Sequence, residues 1–278
     1  MSEPIAVPRG STIIIGERWP GPGPVVVLLH AGVADRRSWY EVAEQLAEHA
    51  TVIAYDRRGF GETRPGSDPF SHLDDLIAVL DYLEVNKVWF VGSSAGGKLA
   101  IDAALVAPGR VAGLILIAPG VSGAPSPDEG SLEPQLVWLD QRIEEQLNLG
   151  KLDDANRFET WLWLDGPVGP EGRVSGAVRD LALAMNRVIL ANDIAETPVH
   201  NVNAWNRLEE LVVPTTVVWG SLDVGFLIEY GEALVARISS AKRHCLEGLA
   251  HLPYMEDPSA VATIVINALT EESHTVQS

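Results

Sequence analysis

The sequence predicts an α/β fold in which a mainly parallel sheet of eight strands is covered by helices on both faces. Short apolar runs rich in β-branched residues alternate with segments of helical periodicity, which is typical of such sheets. The alternation occupies residues 1–119 and 212–270, and helical patterns dominate between them. We therefore expect a core domain made of these two segments, a helical insertion at 120–211 after the sixth strand, and a frayed polar tail at 271–278.

The elements follow one another in a regular order. Two strands joined at Arg9-Gly10 predict a hairpin. A helix after Phe70 is indicated by leucine and isoleucine at helical spacing, with Ser71 and Asp74 placed as a capping box. The last helix is opened by Asp257-Pro258, a cap residue followed by proline at the first position. The other strands are expected at 25–30, 51–56, 86–91, 111–119, 214–220 and 242–248.

Composition excludes several classes of protein. The 278 residues carry a formal net charge of −18, which repels phosphate backbones, so we expect no nucleic-acid partner. A single cysteine, Cys245, excludes an internal disulfide, and we expect it to be a small buried residue in a strand. No apolar stretch reaches membrane-spanning length and the first residues have no signal-peptide pattern, which predicts a cytoplasmic protein without a membrane partner.

The stretch "VGSSAGG", residues 91–97, predicts a nucleophile elbow. It fits G-x-S-x-G only with Ser94 at the centre, because centring on Ser93 places Val91 at a glycine position. A serine on a sharp strand-to-helix turn has strained backbone, and residues two before and two after it must be almost free of side chain. The apolar strand before it and the Ala/Leu-rich helix after it match that context.

Two loops further along the chain supply an acid and a base. A serine hydroxyl needs a base that another group orients, and such groups belong at the carboxyl ends of parallel strands. Asp223 follows the strand at 214–220, and His251 lies in a glycine-opened loop after the strand at 242–248. The chain order Ser94, Asp223, His251 is the one expected for this elbow.

The competing histidines and carboxylates fit less well. His30, which ends a strand, is the main rival for the base. The carboxylates of the insertion rank below Asp223 because they lie away from the strand ends: Asp140, Asp153, Asp165 and Asp193. The other histidines are expected on the surface or within a strand: His49, His72, His200 and His244.

The chain resembles the α/β-hydrolase fold family with a serine triad, in its esterase- or lactonase-like branch with a helical lid. The resemblance covers nearly all of the chain outside the insertion. It is carried by the motifs "LLHAGVADRRSW", "VIAYDRRGFGET", "VGSSAGG", "GSLD" and "GLAHLPYMEDP".

The resemblance implies roles for further residues. The oxyanion hole would be formed by the backbone N–H groups of Gly32 and Ala95, with Val33 as the alternative loop donor because Ala31 stands where the family usually has glycine. His30 would stabilise that loop rather than act as the base. Asp56 would be a structural turn residue, and residues 120–211 would be the lid.

The function expected is hydrolysis of a carboxylic ester or lactone of a small, apolar or aromatic molecule. No cofactor or metal is expected, since neither a metal-ligand cluster nor a dinucleotide fingerprint occurs. Four lid aromatics are predicted substrate contacts, with packing inside the lid as the alternative: Trp138, Trp161, Trp163 and Trp205. C–C bond hydrolysis, cofactor-free perhydrolysis and a non-enzymatic ligand receptor are the alternative functions.

Overall fold

The computed structural model describes residues 1–128, 130, 132–192 and 201–275, with the backbone alone for 272–275. Its centre is one sheet of eight strands in the order β1-β2-β4-β3-β5-β6-β7-β8. The strands are β1 Glu3–Arg9, β2 Thr12–Trp19, β3 Val25–Leu29, β4 Thr51–Tyr55, β5 Val88–Ser93, β6 Val111–Ile117, β7 Thr215–Gly220 and β8 Ala241–Leu246.

The sheet is antiparallel at one edge and parallel elsewhere. β1 and β2 form the predicted hairpin, and β2 also pairs antiparallel with β4. From β4 to β8 every neighbouring pair is parallel. The carboxyl ends of β5, β7 and β8 therefore lie at the same edge of the sheet, which is where the loops of the predicted triad begin.

Helices cover both faces of the sheet, as predicted. They are α1 Tyr40–Leu46, α2 His72–Tyr82, α3 Ala95–Val106, α4 Pro134–Asn148, α5 Leu152–Thr160, α6 Ala177–Ala191, α7 Gly225–Arg237, α8 Pro253–Glu256 and α9 Pro258–Thr275. Alternate strand residues face opposite layers: Val27 and Leu29 belong to the core with α2, α3 and α7, whereas Val26 and Leu28 belong to the core with α1 and α9.

The predicted helix starts are confirmed in their hydrogen bonds. Ser71 caps α2 by accepting a bond from the Asp74 backbone N–H at 3.0 Å. Asp257 precedes Pro258 in α9 and accepts from the backbone N–H of Ala260 at 2.9 Å. The tail expected from residue 271 needs correction, because α9 continues to Thr275; residues 276–278 lie outside the described residues.

Two residues differ from their predicted environments. Cys245 is exposed, not buried, because β8 is an edge strand that has few contacts on its faces. His72 is buried, not on the surface, because the first turn of α2 packs its ring against Phe60 and Phe70. Burial lowers the pKa of His72 to about 2, so this ring is neutral. His200 lies outside the described residues.

The predicted insertion is helical: α4, α5 and α6 lie between β6 and β7. The first two helices have their own apolar core, which contains Leu139 and Phe158 and extends onto Val224 and Leu227 beside β7. The insertion is thereby attached to the loop that carries Asp223. In the part of the chain that the structure describes, no helix has the length and apolarity needed to cross a membrane.

Candidate active site

Ser94 occupies the turn between β5 and α3. Its φ is 52° and its ψ is −114°, a conformation that costs energy for a residue with a side chain. Three backbone hydrogen bonds hold it: the Ser94 N–H donates to Ile117 O at 2.9 Å, and its carbonyl accepts from Lys98 and Gly120 at 2.9 and 3.1 Å. The neighbouring Ser93 is fully buried, whereas Ser94 is partly exposed.

The two glycines of the elbow are required by close backbone contacts. A Cβ at Gly96 would lie 2.1 Å from the carbonyl oxygen of Leu29, at the end of β3. A Cβ at Gly92 would lie 2.5 Å from the carbonyl oxygen of Gly96. Such distances are far below a van der Waals contact, so the elbow can approach β3 this closely only without these side chains.

Gly96→Ala should therefore destabilise the protein by about 2–3 kcal/mol, because the backbone of β3 or the elbow must move to admit the methyl group. Urea denaturation measures this loss of unfolding free energy. The matched control is Gly109→Ala, where a Cβ has nothing within 4 Å and should change stability little. Equal effects at the two positions would contradict the steric explanation of the motif.

His251 and Asp223 form a buried pair. The Nδ1 atom of His251 lies 3.0 Å from Oδ1 and 3.1 Å from Oδ2 of Asp223. Asp223 Oδ1 also accepts a 2.7 Å hydrogen bond from the backbone N–H of Val224, which fixes the carboxylate. A carboxylate only accepts, so Nδ1 carries the proton and Nε2 of His251 is left with its lone pair.

Packing holds the imidazole ring in place. His251 is 2% exposed, and the ring of Trp163 lies over it with centroids 4.7 Å apart. Among the described residues no hydrogen bond joins Ser94 to His251, so the pairing of these two remains a prediction. The structure places both at the carboxyl edge of the parallel strands, Ser94 after β5 and His251 after β8, with β6 and β7 between those strands. Gly220, at the end of β7, packs closely on Leu249 and Ala250 of the His251 loop.

His30 is engaged elsewhere with both ring nitrogens. Its Nε2 accepts from the backbone N–H of Arg57 at 3.1 Å, and its Nδ1 lies 2.8 Å from the carbonyl oxygen of Ala31. Burial and the nearby Arg57 guanidinium hold the pKa of His30 well below its usual value. A neutral ring with both nitrogens occupied is suited to fixing the loop after β3, not to taking a proton from Ser94.

Arg57 supports the same loop and was missed in the sequence. Its Nη2 donates to the carbonyl oxygens of His30 and Ala31, at 3.0 Å each. Its guanidinium lies over the ring of Phe60, 4.5 Å from the centroid. The "YDRRG" motif contains this residue, but only the fold brings it beside β3.

The proposed oxyanion donors lie together. A Cβ built on Gly32 would be 3.7 Å from the Cβ of Ala95, so the loop after β3 faces the first residue of α3. The backbone N–H groups of Gly32, Val33 and Ala95 have no protein acceptor within the described ranges. Ala95 begins α3, and N–H groups at the start of a helix favour negative charge. These N–H groups can therefore hold a developing oxyanion.

Asp56 holds its own turn. Its carboxylate accepts from the backbone N–H groups of Arg36 and Glu62, at 2.8 Å each, and pairs with the Arg36 guanidinium. Burial raises the pKa of Asp56 to about 6. The residue joins the loops after β3 and β4, which is a structural task.

Arg173 links the insertion to the loop of His251. Its guanidinium donates to the carbonyl oxygens of Leu164 and Gly248, at 2.9 and 3.0 Å. It also pairs with Glu256 at 2.6 Å, whose other oxygen accepts from the backbone N–H of Ala250 at 2.7 Å. No pattern in the sequence marks this contact, because Gly248 and Glu256 are distant from Arg173 along the chain.

The four predicted tryptophans have different surroundings. Trp163 is the one that contacts the site, through His251. Trp138 packs edge-on against Trp161, with centroids 5.7 Å apart, and Trp161 donates from Nε1 to Gly169 O at 2.9 Å. Trp205 packs on Tyr230 of α7, with centroids 5.4 Å apart. The described contacts of Trp138, Trp161 and Trp205 are those of packing within the protein.

Two enzymes, a hydrolase and a lipase, are similar to this chain over most of its length. The chain is 27% identical over 256 residues to 2-hydroxy-6-oxononadienedioate/2-hydroxy-6-oxononatrienedioate hydrolase of Cupriavidus pinatubonensis, over 88% of this chain and 86% of that one. It is 26% identical over 263 residues to a monoacylglycerol lipase of Xenopus laevis, over 90% of this chain and 77% of the lipase.

Solved structures agree in fold. An esterase from Rhodococcus sp. superposes with a TM-score of 0.74 at 23% identity, over 97% of this chain and 98% of the esterase. A sequence model described as the alpha/beta hydrolase family matches residues 26–264, which include β4 to β8, all of β3 but its first residue, the elbow and the His251 loop. The chain therefore belongs to the alpha/beta hydrolase family.

Proposed function

We propose that the protein hydrolyses a carboxylic ester or lactone through an acyl-enzyme on Ser94. The observation that carries the proposal is the strained elbow of Ser94 at the same sheet edge as the buried His251–Asp223 pair. A hydroxyl exposed on such a turn and a neutral imidazole with a free Nε2 are the parts that acyl transfer needs.

The proposed reaction has two halves. His251 Nε2 takes the proton of Ser94 Oγ as the oxygen attacks the carbonyl carbon, and then gives that proton to the departing alcohol. Water enters, His251 removes its proton, and the hydroxide attacks the acyl carbon, so that the acid leaves and Ser94 regains its proton. Asp223 keeps the imidazole oriented and stabilises its charged form.

Stabilisation of the oxyanion is assigned to the backbone. The N–H groups of Gly32 and Ala95 would donate to the carbonyl oxygen once it carries negative charge, with Val33 as the alternative loop donor. One such donor typically contributes about 3 kcal/mol to the transition state. His30 and Arg57 contribute indirectly, since they hold the loop that presents Gly32.

A second candidate is hydrolysis of a C–C bond on the same residues. It is favoured by the similarity to the Cupriavidus pinatubonensis enzyme, whose named substrate is a keto-dienedioate without an ester. The first candidate is favoured by the comparable similarity to a monoacylglycerol lipase. For the ester or lactone we propose a small, apolar or aromatic molecule, whereas the dienedioate of the second candidate is a dianion. We propose a cytoplasmic location for either reaction.

Kinetics on paired substrates distinguish the two. Purified protein is assayed with p-nitrophenyl esters and a set of lactones, and in parallel with a 2-hydroxy-6-oxo-dienoate. Hydrolysis of esters or lactones with kcat/KM at least tenfold higher than that of the dienoate supports our proposal. The reverse order would replace it by the second candidate, and no turnover of either class would contradict both.

Trp163 should affect the choice of substrate. We propose that residues 120–211 cover Ser94 and that Trp163, which lies over His251, contacts the part of the substrate remote from the carbonyl. Trp163→Ala should then change the kcat/KM ratio of a long to a short acyl ester by about 1–3 kcal/mol, the range for a partly lost apolar contact. Hydrolysis of p-nitrophenyl acetate should change little.

The matched control is Trp138→Ala, since Trp138 packs within the insertion. It should lower the melting temperature and reduce activity on long and short esters by the same factor. If Trp163→Ala also reduced activity on long and short esters by the same factor, together with a lower melting temperature, Trp163 would have a packing role alone.

A further inference from the structure

A small cavity lies between the insertion and the loops of the candidate active site. Its lining includes Val33, Glu159, Trp163, Asn186 and Leu252. We name it the lid cavity. Val33 follows the proposed oxyanion donor Gly32, Leu252 follows His251, and Trp163 packs on the His251 ring. A group bound in this cavity would therefore belong to a molecule that also reaches Ser94.

Two polar residues that line the lid cavity, Glu159 on α5 and Asn186 on α6, belong to a chain of hydrogen-bonded side chains that continues to Asn156. Asn156 Nδ2 donates to Leu183 O at 2.9 Å, which leaves its Oδ1 to accept from Asn186 Nδ2 at 3.0 Å. Asn186 Nδ2 also donates to Glu159 Oε2 at 2.5 Å. These bonds fix the orientation of the Asn186 amide, because only its nitrogen can donate to two acceptors.

This orientation leaves an acceptor without a donor. Asn186 is 3% exposed, and within the described ranges its Oδ1 has no hydrogen-bond partner. Leaving such a buried atom without a hydrogen bond destabilises the folded state. A network that served packing alone would be expected to satisfy it.

The neighbouring carboxylate lacks a counter-charge. Glu159 receives the one bond from Asn186, and no lysine, arginine or histidine pairs with it among residues 1–128, 130, 132–192 and 201–275. Burial raises the pKa of Glu159, as expected for a carboxylate removed from water without a cation. Glu159 and Asn186 thus both present acceptors, and both would be stabilised by a group that donates.

We propose that the lid cavity is a substrate subsite for a hydrogen-bond-donating end group, and that an ammonium group is its best match. An ammonium supplies a positive charge to Glu159 and N–H donors to both side chains. The free space holds about one group of the size of a water molecule, which is room for one such end group. The net charge of −18 also attracts cationic molecules. The proposal rests on the proposed ester hydrolysis.

The test uses p-nitrophenyl esters whose acyl chains have the same length and differ at the end. Heptanoate ends in methyl, 6-hydroxyhexanoate in hydroxyl and 6-aminohexanoate in ammonium; homologues one carbon shorter and longer vary the distance from the carbonyl to the end group. A second set carries the ends on the alcohol, as butanoates of hexan-1-ol and of 5-aminopentan-1-ol. The quantity measured is the ratio of kcat/KM for the ammonium ester to that for the methyl ester.

Glu159→Gln removes the charge at constant size, and Glu144→Gln, on the exposed face of α4, is the matched control. In at least one set of esters, the ratio of kcat/KM for the ammonium ester to that for the methyl ester should be about tenfold or more lower in Glu159→Gln than in the wild type, as expected for a lost hydrogen bond to a charged group. The same ratio should stay unchanged in Glu144→Gln. The ratio of kcat/KM for the hydroxyl ester to that for the methyl ester should fall less, because the side-chain oxygen of glutamine can still accept a hydrogen bond from the hydroxyl group. The ratio does not depend on the fraction of folded enzyme, and Asn186→Leu provides a second variant that should lower it.

Equal ratios in the wild type, Glu159→Gln and Asn186→Leu, for both sets of esters, would overturn the subsite while leaving ester hydrolysis intact. They would mean that the chain of amides only holds α5 against α6. Failure of the proposed function looks different: the wild type would then hydrolyse none of these esters, including heptanoate, and the subsite proposal would fall with it.

Discussion

Ser94→Ala should lower kcat/KM for ester hydrolysis by about 10⁴- to 10⁶-fold, the range for removing a triad nucleophile. In our proposal the Ser94 hydroxyl, on the turn at φ 52°, forms the acyl-enzyme. The loss should lie mainly in kcat, because the alanine variant keeps the lid cavity, the helical insertion and the backbone N–H groups of Gly32 and Ala95. Steady-state kinetics on a p-nitrophenyl ester measure it, with circular dichroism to confirm the fold.

Ser93→Ala is the matched control, one residue away in the same motif. Ser93 is fully buried at the end of β5, beside the turn that carries Ser94. Its loss should affect stability more than chemistry. If Ser93→Ala lost as much activity as Ser94→Ala, or more, Ser93 rather than Ser94 would be the serine that the elbow exposes.

Asp223→Asn should lower kcat/KM by about 10⁴-fold, as found for triads in which the orienting carboxylate becomes an amide. The asparagine has nearly the same shape, but its NH2 group can donate to Nδ1 of His251. The proton of the imidazole would then sit on Nε2, which could no longer accept from Ser94. The same kinetic assay measures the loss, with the melting temperature recorded in parallel.

Asp81→Asn controls for a change of net charge, since Asp81 is an exposed carboxylate paired with Arg110 on the surface. It should leave kcat/KM within about twofold, because surface ion pairs contribute little. A loss of less than tenfold in Asp223→Asn would show that His251 does not depend on this carboxylate and that another acid orients the base.

Much of the fold and of the candidate site was predictable because the signals are local. The glycines around Ser94 are dictated by contacts with the backbone of β3 and of the elbow itself, and a chain that forms this turn must carry them. Asp223 and His251 lie in the loops that follow β7 and β8, so the parallel sheet brings them to one edge. The side chains of Ser71 and Asp257 each accept a hydrogen bond from the backbone N–H group three residues further along the chain. Both helix starts were therefore predicted correctly.

The features that were missed depend on contacts between distant segments. Arg173 binds carbonyl oxygens and Glu256 across the insertion and the His251 loop, and no periodicity marks such a residue. Glu159 and Asn186 meet only because α5 packs on α6. Burial was misjudged for Cys245 and His72, because the sequence does not reveal which strand is the edge or which ring a helix end covers.

The central claim is that Ser94 is an activated nucleophile, and covalent labelling tests it most directly. The wild type, Ser94→Ala and Ser93→Ala are treated with a fluorophosphonate, and intact mass with peptide mapping is recorded over time. We predict one adduct per chain on Ser94 in the wild type and in Ser93→Ala, and none in Ser94→Ala. An adduct that forms in Ser94→Ala at the wild-type rate, or a wild type that stays unlabelled, would contradict the account.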